Sequence, residues 1–313
     1  MNLQQLEYII AVDRFKHFSK AADYCHVTQA TLSAMIKKLE EELDAVIFDR
    51  KTSPVVTTDS GILIINHAIR IIGQVDQLRE SARAASNTIQ GILKVGIIPT
   101  VATTLLPIIL KPILKKYPKL KLDIQELTTQ DIVDKLKLGI LDIGILATPL
   151  NGKSEVEESI LYYESMMVYG AVNDHERFIT PEEIDSEIIW LMEEGHCFRE
   201  QTVKVCNLKK KHNLPKNLLF EANSFETLVN LTDEFGGITL IPELYYQGMD
   251  EKRKLKAKPF NSPLPVREIS MIFYRPYAKI NSINRVANEI RSLMKGRLLT
   301  EKFKAKDLSI IGI

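Results

Sequence analysis

Near residue 90 the hydrophobic pattern of the chain changes, and this change limits the possible folds more than any other feature. Before it, apolar residues recur at the three- and four-residue spacing of helices; after it, short apolar runs alternate with helical stretches. "ILKVGII", "TTLLPIILKPILKKY", "LKLDIQEL" and "LDIGILA" illustrate the alternation. It predicts βαβ units with a mostly parallel sheet, and therefore an α/β fold. The polar segment at residues 87–91, which ends in glycine, is the expected hinge.

Residues 1–58 predict three short helices followed by a two-stranded wing. Ser19 is expected to cap the second helix and Thr28 the third, at the spacing of a helix-turn-helix. The third helix has an apolar stripe of Leu32, Ile36, Leu39 and Leu43. The segment "IFDRKTSPVVTT" then predicts two strands around a Ser-Pro turn.

Residues 59–86 carry one long helical pattern in which isoleucines recur at spacings of three and four. These are Ile62, Ile65, Ile69 and Ile72. Such a stripe is typical of the seam between two paired helices, so we expect a linker helix that joins two chains. The alternative is a helix buried in the core of its own domain.

The remaining chain, residues 92–313, predicts two α/β lobes. Strands near "MMVYGAV", "IIWLM", "LLFEA" and "GGITLIP" and a helix near "SFETLVNLTDEF" form the second lobe. The last strand and helix have no partner there, so we expect them to return to the first lobe. Lobe I is then about residues 92–162 and 269–313, lobe II is about 163–268, and a ligand cleft lies at the strand ends.

Composition excludes several classes of protein. The chain is 45% hydrophobic and 26% charged with a net charge of +1, as in an ordinary globular protein. It has no apolar run long enough for a membrane span and no signal-peptide pattern, which predicts a cytoplasmic protein without a membrane partner. Three cysteines in 313 residues are too few for a disulfide scaffold, so any disulfide is expected to be transient.

The N-terminal block "FSKAADYCHVTQATLSAMIKKLEEELDAVIFDR" resembles the winged helix-turn-helix of LysR-type transcriptional regulators, and the resemblance extends over nearly the whole chain. It implies a winged helix-turn-helix, a long linker helix and a bilobed, periplasmic-binding-protein-like α/β sensor domain. It also implies that the helix beginning at Thr28 enters the major groove of operator DNA. The implied base contacts are Gln29, Thr31 and Leu32, and the implied phosphate contacts are Ser33, Lys37 and Arg50.

The chain departs from the family pattern at Ala30, where proline is common, and at Ala34, where arginine is common. Residues 1–58 hold seven Lys and Arg against eight Asp and Glu, and the acidic run at residues 40–42 is expected to face away from DNA. Few phosphates are therefore neutralised per module, so tight binding requires several copies, as in a homodimer or homotetramer.

The segment "GHCFREQTVKVC" carries the most specific chemistry. If a helix begins near Cys197, unpaired backbone N–H groups and the helix dipole favour its thiolate, and Arg199 adds to this effect. The acids Glu193, Glu194 and Glu200 oppose it. His196 is a hydrogen-bond donor to the sulfur or to peroxide, a metal ligand, or a packed loop residue.

Cys206 follows nine positions after Cys197. In a regular helix the two are about 13.5 Å apart along the axis, whereas the Cα atoms of a disulfide lie within about 7 Å. A bridge between them therefore requires the segment to unwind. Cys25 lies inside the helix-turn-helix and is expected to be a small buried residue.

The same segment resembles the redox segment of the peroxide-sensing members of the LysR family. The resemblance implies that Cys197 is the peroxidatic cysteine and Cys206 the resolving one. It also implies a peroxide pocket containing Thr100, Thr129, His196 and Arg267. Each threonine is alternatively a helix cap, and the two roles are compatible.

The expected function is a peroxide-responsive regulator rather than an enzyme, without cofactor or metal. Its expected partners are double-stranded DNA, hydrogen peroxide, RNA polymerase and a thiol reductant of the glutaredoxin or thioredoxin type. One alternative is a LysR-type regulator that responds to a metabolite, and another is a thiol peroxidase or metal-binding enzyme. Cys197, Cys206 and His212 form a poor zinc pattern, because the first pair is too widely spaced.

Overall fold

The computed structural model describes residues 1–50, 52, 54–83, 89–150, 156–170, 178, 188–194, 196–206, 220, 222–274 and 279–312. The chain divides into two compact units, one formed by residues 1–87 and the other by most of the remaining chain. No helix in these ranges is long and apolar enough to cross a membrane.

The N-terminal unit is a winged helix-turn-helix followed by a long helix, as predicted. Its elements are α1 (Leu3–Phe15), α2 (Phe18–Tyr24), α3 (Gln29–Glu42), β1 (Phe48–Asp49), β2 (Val56–Thr57) and α4 (Asp59–Arg83), and the two strands pair antiparallel. Thr28 caps α3 by accepting from the N–H of Thr31 at 3.2 Å. The predicted Ser19 cap is wrong, because α2 begins earlier and the His17 ring accepts from the N–H of Ser19.

The core of this unit contains Leu32, Ile36 and Leu39 of α3 and, from α4, Ile65 and Ala68. Leu43, which was expected in the stripe, ends the helix and is exposed. Along α4 a second apolar set is exposed on the single chain: Ile62, Leu63, Ile71 and Leu78. The helix thus contributes to its own core and also presents apolar residues outward. Residues 84–88, which include the predicted helix end and part of the hinge, lie outside the described residues.

The first part of the α/β unit has the predicted alternation. It consists of β3 (Gly91–Ile97), α5 (Pro99–Lys116), β4 (Leu120–Glu126), α6 (Thr129–Lys137) and β5 (Ile143–Thr148), with β3 parallel to both β4 and β5. The late elements β9 (Leu264–Phe273) and α11 (Ile280–Met294) join it, because β9 pairs antiparallel with β5 and α11 contacts α5. The last strand and helix thus pack with the first part of this unit.

One long strand, β6 (Glu157–Gly170), connects the two halves of this unit. Its first part pairs with β9, and its last part pairs with β7 (Ile238–Pro242) and β8 (Ala257–Pro259). The helices of the second half are α7 (Cys197–Val205), α8 (Phe225–Phe235), α9 (Glu243–Gln247) and α10 (Glu251–Lys254). The "IIWLM" segment is not a full strand; it makes isolated bridges at Ile189 and Met192.

Two separate hydrophobic cores result. The first, which we call the lobe I core, gathers residues of α5, β3, β5 and α11; the second, the lobe II core, gathers Trp190, Phe198 and residues of α8 and β7. After α11 the chain makes two 3-10 turns, Leu299–Lys302 and Ala305–Asp307, and ends its described part with β10 (Leu308–Ile310), parallel to β9.

Candidate functional site

Helix α7 places the two cysteines at its opposite ends. Cys197 is its first residue and Cys206 its C-cap, and both are free thiols. Cys206 follows Cys197 by nine positions, which corresponds to about 13.5 Å along the helix axis. Because a disulfide needs Cα atoms within about 7 Å, the pair cannot bridge while α7 is helical.

The Cys197 sulfur is buried and surrounded by hydrogen-bond donors. Burial raises the pKa of the thiol, while the Arg267 charge, the Thr129 hydroxyl and the backbone N–H groups of Phe198 and Ala147 lower it. The N–H group of Phe198 at the helix start does lower the pKa, as expected, but the net direction is upward. Burial outweighs the donors, which stabilise the thiolate once the proton has left.

Arg199, the cation expected beside the sulfur, is engaged elsewhere. Its guanidinium donates to the Met192 carbonyl at 2.8 Å and lies 3.7 Å from the carboxylate of Glu194. Arg267 supplies the positive charge near Cys197 instead. The family resemblance had placed Arg267 in the pocket, whereas the local sequence pointed to Arg199, because Arg267 is on β9, far along the chain.

Arg267 is fully buried and forms an ion pair with Glu164 through two of its guanidinium nitrogens. Its Nε and Nη2 atoms lie 2.8 and 2.7 Å from Oε2 of Glu164, which faces it across β6 and β9. It also donates to the Thr100 hydroxyl at 3.3 Å and to the Thr100 carbonyl at 3.1 Å. The guanidinium carbon is 5.3 Å from the ring centre of Phe198, the neighbour of Cys197. Glu164 was not foreseen from the sequence.

Neither pocket threonine is a helix cap. Thr100 is the second residue of α5, after the cap residue Ile98, and Thr128 caps α6 by accepting from the N–H of Asp131. The Thr129 hydroxyl is therefore left to face the Cys197 sulfur. Its geometry falls short of a full hydrogen bond, so this oxygen is buried without a partner among the described residues.

Three buried side-chain atoms in the described chain lack a hydrogen-bond partner: Thr129 Oγ1, Tyr162 Oη and Gln201 Oε1. Gln201 follows Cys197 by one helical turn and so shares its face of α7. Tyr162 is on the same face of the sheet as Glu164 and Arg267, and burial, followed by the Glu164 charge, raises its pKa well above normal. Since buried polar groups are nearly always paired, the unpartnered Thr129 hydroxyl beside the Cys197 sulfur suits a small polar ligand. Neither Tyr162 nor Gln201 was predicted from the sequence, although the four-residue spacing between Cys197 and Gln201 places both on one face of a helix.

His196 precedes Cys197 as the N-cap residue of α7 and is half-buried. Its ring makes no capping hydrogen bond, so it is available to another group. In the described part of the chain no cluster of three His, Cys, Asp or Glu side chains could hold a metal ion. His212, the third member of the zinc alternative, lies outside that part.

The other two cysteines differ from Cys197. Cys206 is half-buried against the lobe II core, and burial raises its pKa to about 12. Cys25 is half-buried at the end of α2 and packs against the N-terminal core; burial and, to a smaller extent, Glu7 raise its pKa. All three are therefore thiols at neutral pH, and only Cys197 is faced by donors that would favour its deprotonation.

On the N-terminal unit, α3 presents part of the predicted DNA-contacting set. Gln29, Thr31 and Lys37 are exposed, and Thr31 is bonded through its hydroxyl to Thr28 at 2.8 Å. Leu32 is fully buried in the core, so its assignment as a base contact is wrong. A side chain cannot pack in that core and reach a base edge at the same time.

The wing is tied to α3 through Glu40. One carboxylate oxygen accepts from the N–H groups of Ile47 and Phe48, and the other lies 2.7 Å from Arg50. The expectation that the whole acidic run faces away is therefore wrong for Glu40. Arg50 also donates to Ser33 at 3.1 Å, so the two predicted phosphate contacts are neighbours.

Comparisons with known proteins agree with this architecture. Residues 3–62 match the bacterial regulatory helix-turn-helix proteins of the lysR family, and residues 86–295 match the LysR substrate binding domain. The chain is 33% identical over 306 residues to the hydrogen peroxide-inducible genes activator of Haemophilus influenzae, covering 95% of this chain and 99% of that protein.

Two further relatives carry the name OxyR. The DNA-binding transcriptional dual regulator OxyR of Escherichia coli is 33% identical over 301 residues, covering 95% of this chain and 97% of that one. A full-length OxyR variant from Pseudomonas aeruginosa has a TM-score of 0.76 and 30% identity, covering 93% of this chain and 98% of that one. The chain therefore belongs to the LysR family of bacterial transcriptional regulators and, within it, to the OxyR group.

Proposed function

We propose that this protein is a peroxide-sensing, DNA-binding transcriptional regulator that is switched by a reversible disulfide between Cys197 and Cys206. The observation that carries the proposal is the buried Cys197 thiol, faced by the Thr129 hydroxyl, two backbone N–H groups and Arg267, beside polar atoms without partners. Its relatives are named for induction by hydrogen peroxide, which fits a small polar ligand at this position.

The chemistry uses both thiols and one peroxide. The Cys197 thiolate attacks one oxygen of hydrogen peroxide, the O–O bond breaks, and the departing hydroxide takes a proton to become water. Cys197 is left as sulfenic acid. The Cys206 sulfur then displaces the sulfenic oxygen, which leaves as a second water, and the disulfide forms. Two electrons pass from the two thiols to the peroxide.

The pocket residues have distinct roles in the first step. Arg267 and the two N–H groups stabilise the negative sulfur, and the Thr129 hydroxyl orients the attacked oxygen. Thr100 accepts a hydrogen bond from the Arg267 guanidinium and so helps to fix the position of that cation. His196 borders the site and donates to the peroxide or to the sulfur. Binding a polar ligand here would satisfy groups that are otherwise buried without partners.

The second step requires a change in α7. Its ends must approach from about 13.5 Å to about 7 Å or less, so the helix must unwind. Phe198 packs edge-on against Phe225 at 4.9 Å, and Val205 also lies in the lobe II core. Both must leave that packing, which converts the oxidation of one sulfur into a rearrangement of the domain.

At the other end of the chain, α3 enters the major groove of an operator. Gln29 and Thr31 contact base edges, while Lys37, Arg50 and Ser33 contact phosphates. Thr28 caps the helix that carries them. Two chains pair through the exposed apolar residues of α4 and assemble into a tetramer, which supplies the affinity that one weakly charged module lacks. RNA polymerase and a glutaredoxin- or thioredoxin-type reductant are the remaining proposed partners.

The proposal is tested by counting free thiols by mass spectrometry before and after one equivalent of hydrogen peroxide. Wild type should lose two free thiols, at Cys197 and Cys206, whereas the Cys25 thiol should remain free and serves as an internal control. In Cys206→Ser only Cys197 should change, to sulfenic acid. A thiol count that peroxide leaves unchanged would favour the alternative of a metabolite-responsive regulator.

A matched pair of threonine variants tests the pocket itself. Thr129→Val removes the hydroxyl that orients the attacked oxygen, a charge-assisted hydrogen bond worth about 1.5 to 3 kcal/mol, so oxidation of Cys197 should slow by about tenfold or more. Thr128→Val removes the α6 cap next to it, so it should lower stability by about 1 kcal/mol and leave the oxidation rate nearly unchanged. Equal rates for the two variants would remove Thr129 from the site.

A further inference from the structure

Helix α7 is bonded to residues 308–312, which we call the latch segment. The Gln201 side-chain amide donates to the Ile311 carbonyl at 2.8 Å, and the Lys204 ammonium donates to the Gly312 carbonyl at 2.9 Å. Gln201 is completely buried, whereas Ile311 is half-buried, so the first of these bonds is shielded from water on its donor side. Both donors lie between the two cysteines on one side of the helix, three positions apart.

The latch segment is itself anchored to the sheet. Its strand β10 runs parallel to β9, with Leu308 opposite Leu264, and the N–H of Ile311 donates to the carbonyl of Val266 at 2.9 Å. Val266 immediately precedes Arg267 on β9. Ile311 also packs against the lobe II core. The segment therefore connects α7 to the strand that carries the pocket arginine.

We propose that the latch segment positions α7 for the reaction and must release it before the disulfide can close. The inference rests on the proposed function above, because only the pairing of Cys197 with Cys206 demands that α7 unwind. Gln201 and Lys204 are four and seven residues after Cys197. The helical turns that contain Gln201 and Lys204 cannot stay helical when the ends of α7 come together. The hydrogen bonds from these two side chains to the latch carbonyls therefore break.

The latch accordingly favours the reduced form. Each of its two bonds exists with α7 helical and is lost with α7 unwound, so removing a bond favours oxidation. Lys204→Met keeps the alkyl chain and deletes the donor. It should raise the equilibrium constant for disulfide formation in a glutathione buffer by about fivefold, the effect of one hydrogen bond of typical strength. Lys306→Met, the same substitution at an exposed lysine outside α7, is the matched control and should leave that constant within twofold of wild type.

Gln201→Met is the second variant and deletes the buried bond. It should shift the equilibrium in the same direction and by at least as much, because its donor is buried. If Lys204→Met and Gln201→Met both gave the wild-type equilibrium constant, the latch would not oppose oxidation and the proposal would be overturned.

Hydrogen exchange of the intact chain provides a test without substitutions. The amides of residues 309–312 should exchange at least tenfold faster after peroxide treatment, whereas Cys206→Ser, which stops at sulfenic acid, should keep the slow rates of the reduced protein. The disulfide is measured by mass spectrometry in the same sample. Unchanged exchange in a sample that has formed the disulfide would overturn the latch and leave the proposed function standing. A sample that forms no disulfide would overturn both.

Discussion

Replacing Arg267 with methionine should destabilise the α/β unit by about 3 to 5 kcal/mol, the usual cost of removing one partner from a buried ion pair. Both side chains of the pair are fully buried, and two guanidinium nitrogens lie within 2.8 Å of the Glu164 carboxylate. Among the described residues, methionine leaves that carboxylate in the core with the N–H of Leu244, at 2.9 Å, as its remaining hydrogen-bond partner. The Thr100 hydroxyl and carbonyl lose a donor as well.

Trp190 makes this measurement possible. It is the only tryptophan in the sequence, it is 1% exposed, and its indole N–H donates to the Gly236 carbonyl at 2.9 Å. Its fluorescence should therefore follow urea unfolding of the α/β unit without a contribution from the N-terminal unit. Arg297→Met is the matched control, because Arg297 is exposed, and it should change the free energy of unfolding by about 0.5 kcal/mol or less.

The double variant Arg267→Met, Glu164→Gln separates the loss of the pair from the burial of a lone charge. It should recover part of the lost stability, because a neutral amide is less costly to bury than an unpaired carboxylate. A cost below about 1 kcal/mol for Arg267→Met would refute the argument, since it would mean that water or another cation compensates Glu164.

The same substitution should alter the thiol. Arg267 is the largest influence that lowers the pKa of Cys197, so removing it moves that pKa further upward. The thiolate fraction at neutral pH then falls, and both alkylation and peroxide oxidation of Cys197 should slow. The rise of the alkylation rate with pH should shift to higher pH. An unchanged pH profile would show that the guanidinium does not act on the sulfur.

Three further predictions concern other parts of the chain. Glu40→Ala should destabilise the N-terminal unit by about 1 to 3 kcal/mol in thermal unfolding, because two wing N–H groups lose their acceptor. Lys37→Met should weaken binding to all DNA sequences alike and lower the salt dependence by about one unit in a titration at several salt concentrations, and a change confined to one operator would contradict this. Burial raises the pKa of Cys206 to about 12, so below that pH its native alkylation rate should rise about tenfold per pH unit, and urea should accelerate labelling at pH 8.

The local pattern of the sequence predicted most of the elements. The alternation after residue 90 correctly indicated β3 to β5 with their helices, because the spacing of apolar residues reflects which face is buried. Caps were less predictable: the pattern indicated Ser19, whereas the cap of α2 is His17, whose imidazole nitrogen accepts from the N–H of Ser19. Leu32 matched a family contact and a core stripe at once, and the stripe was the correct interpretation.

The candidate site was predictable where its parts lie on one segment. Cys197 and His196 begin α7 as expected. Arg267 was assigned to the pocket only through the family resemblance, and its partner Glu164 was not predicted, because the two meet only when β9 pairs with β6, across 103 positions of sequence. The upward direction of the Cys197 pKa also depends on burial, a property of the assembled domain rather than of the helix start.

Cys197 and Phe198 are consecutive residues that belong to different hydrophobic cores, the first to that of lobe I and the second to that of lobe II. At the start of α7, one peptide unit therefore joins a residue of one core to a residue of the other. When Cys197 moves to meet Cys206, Phe198 must move with it, so closing the disulfide also disturbs the aromatic pair formed by Phe198 and Phe225. Substitutions at positions that contact these two residues should therefore depend on each other. In natural variants, a larger residue near Cys197 should be tolerated only where the packing around Phe198 is looser.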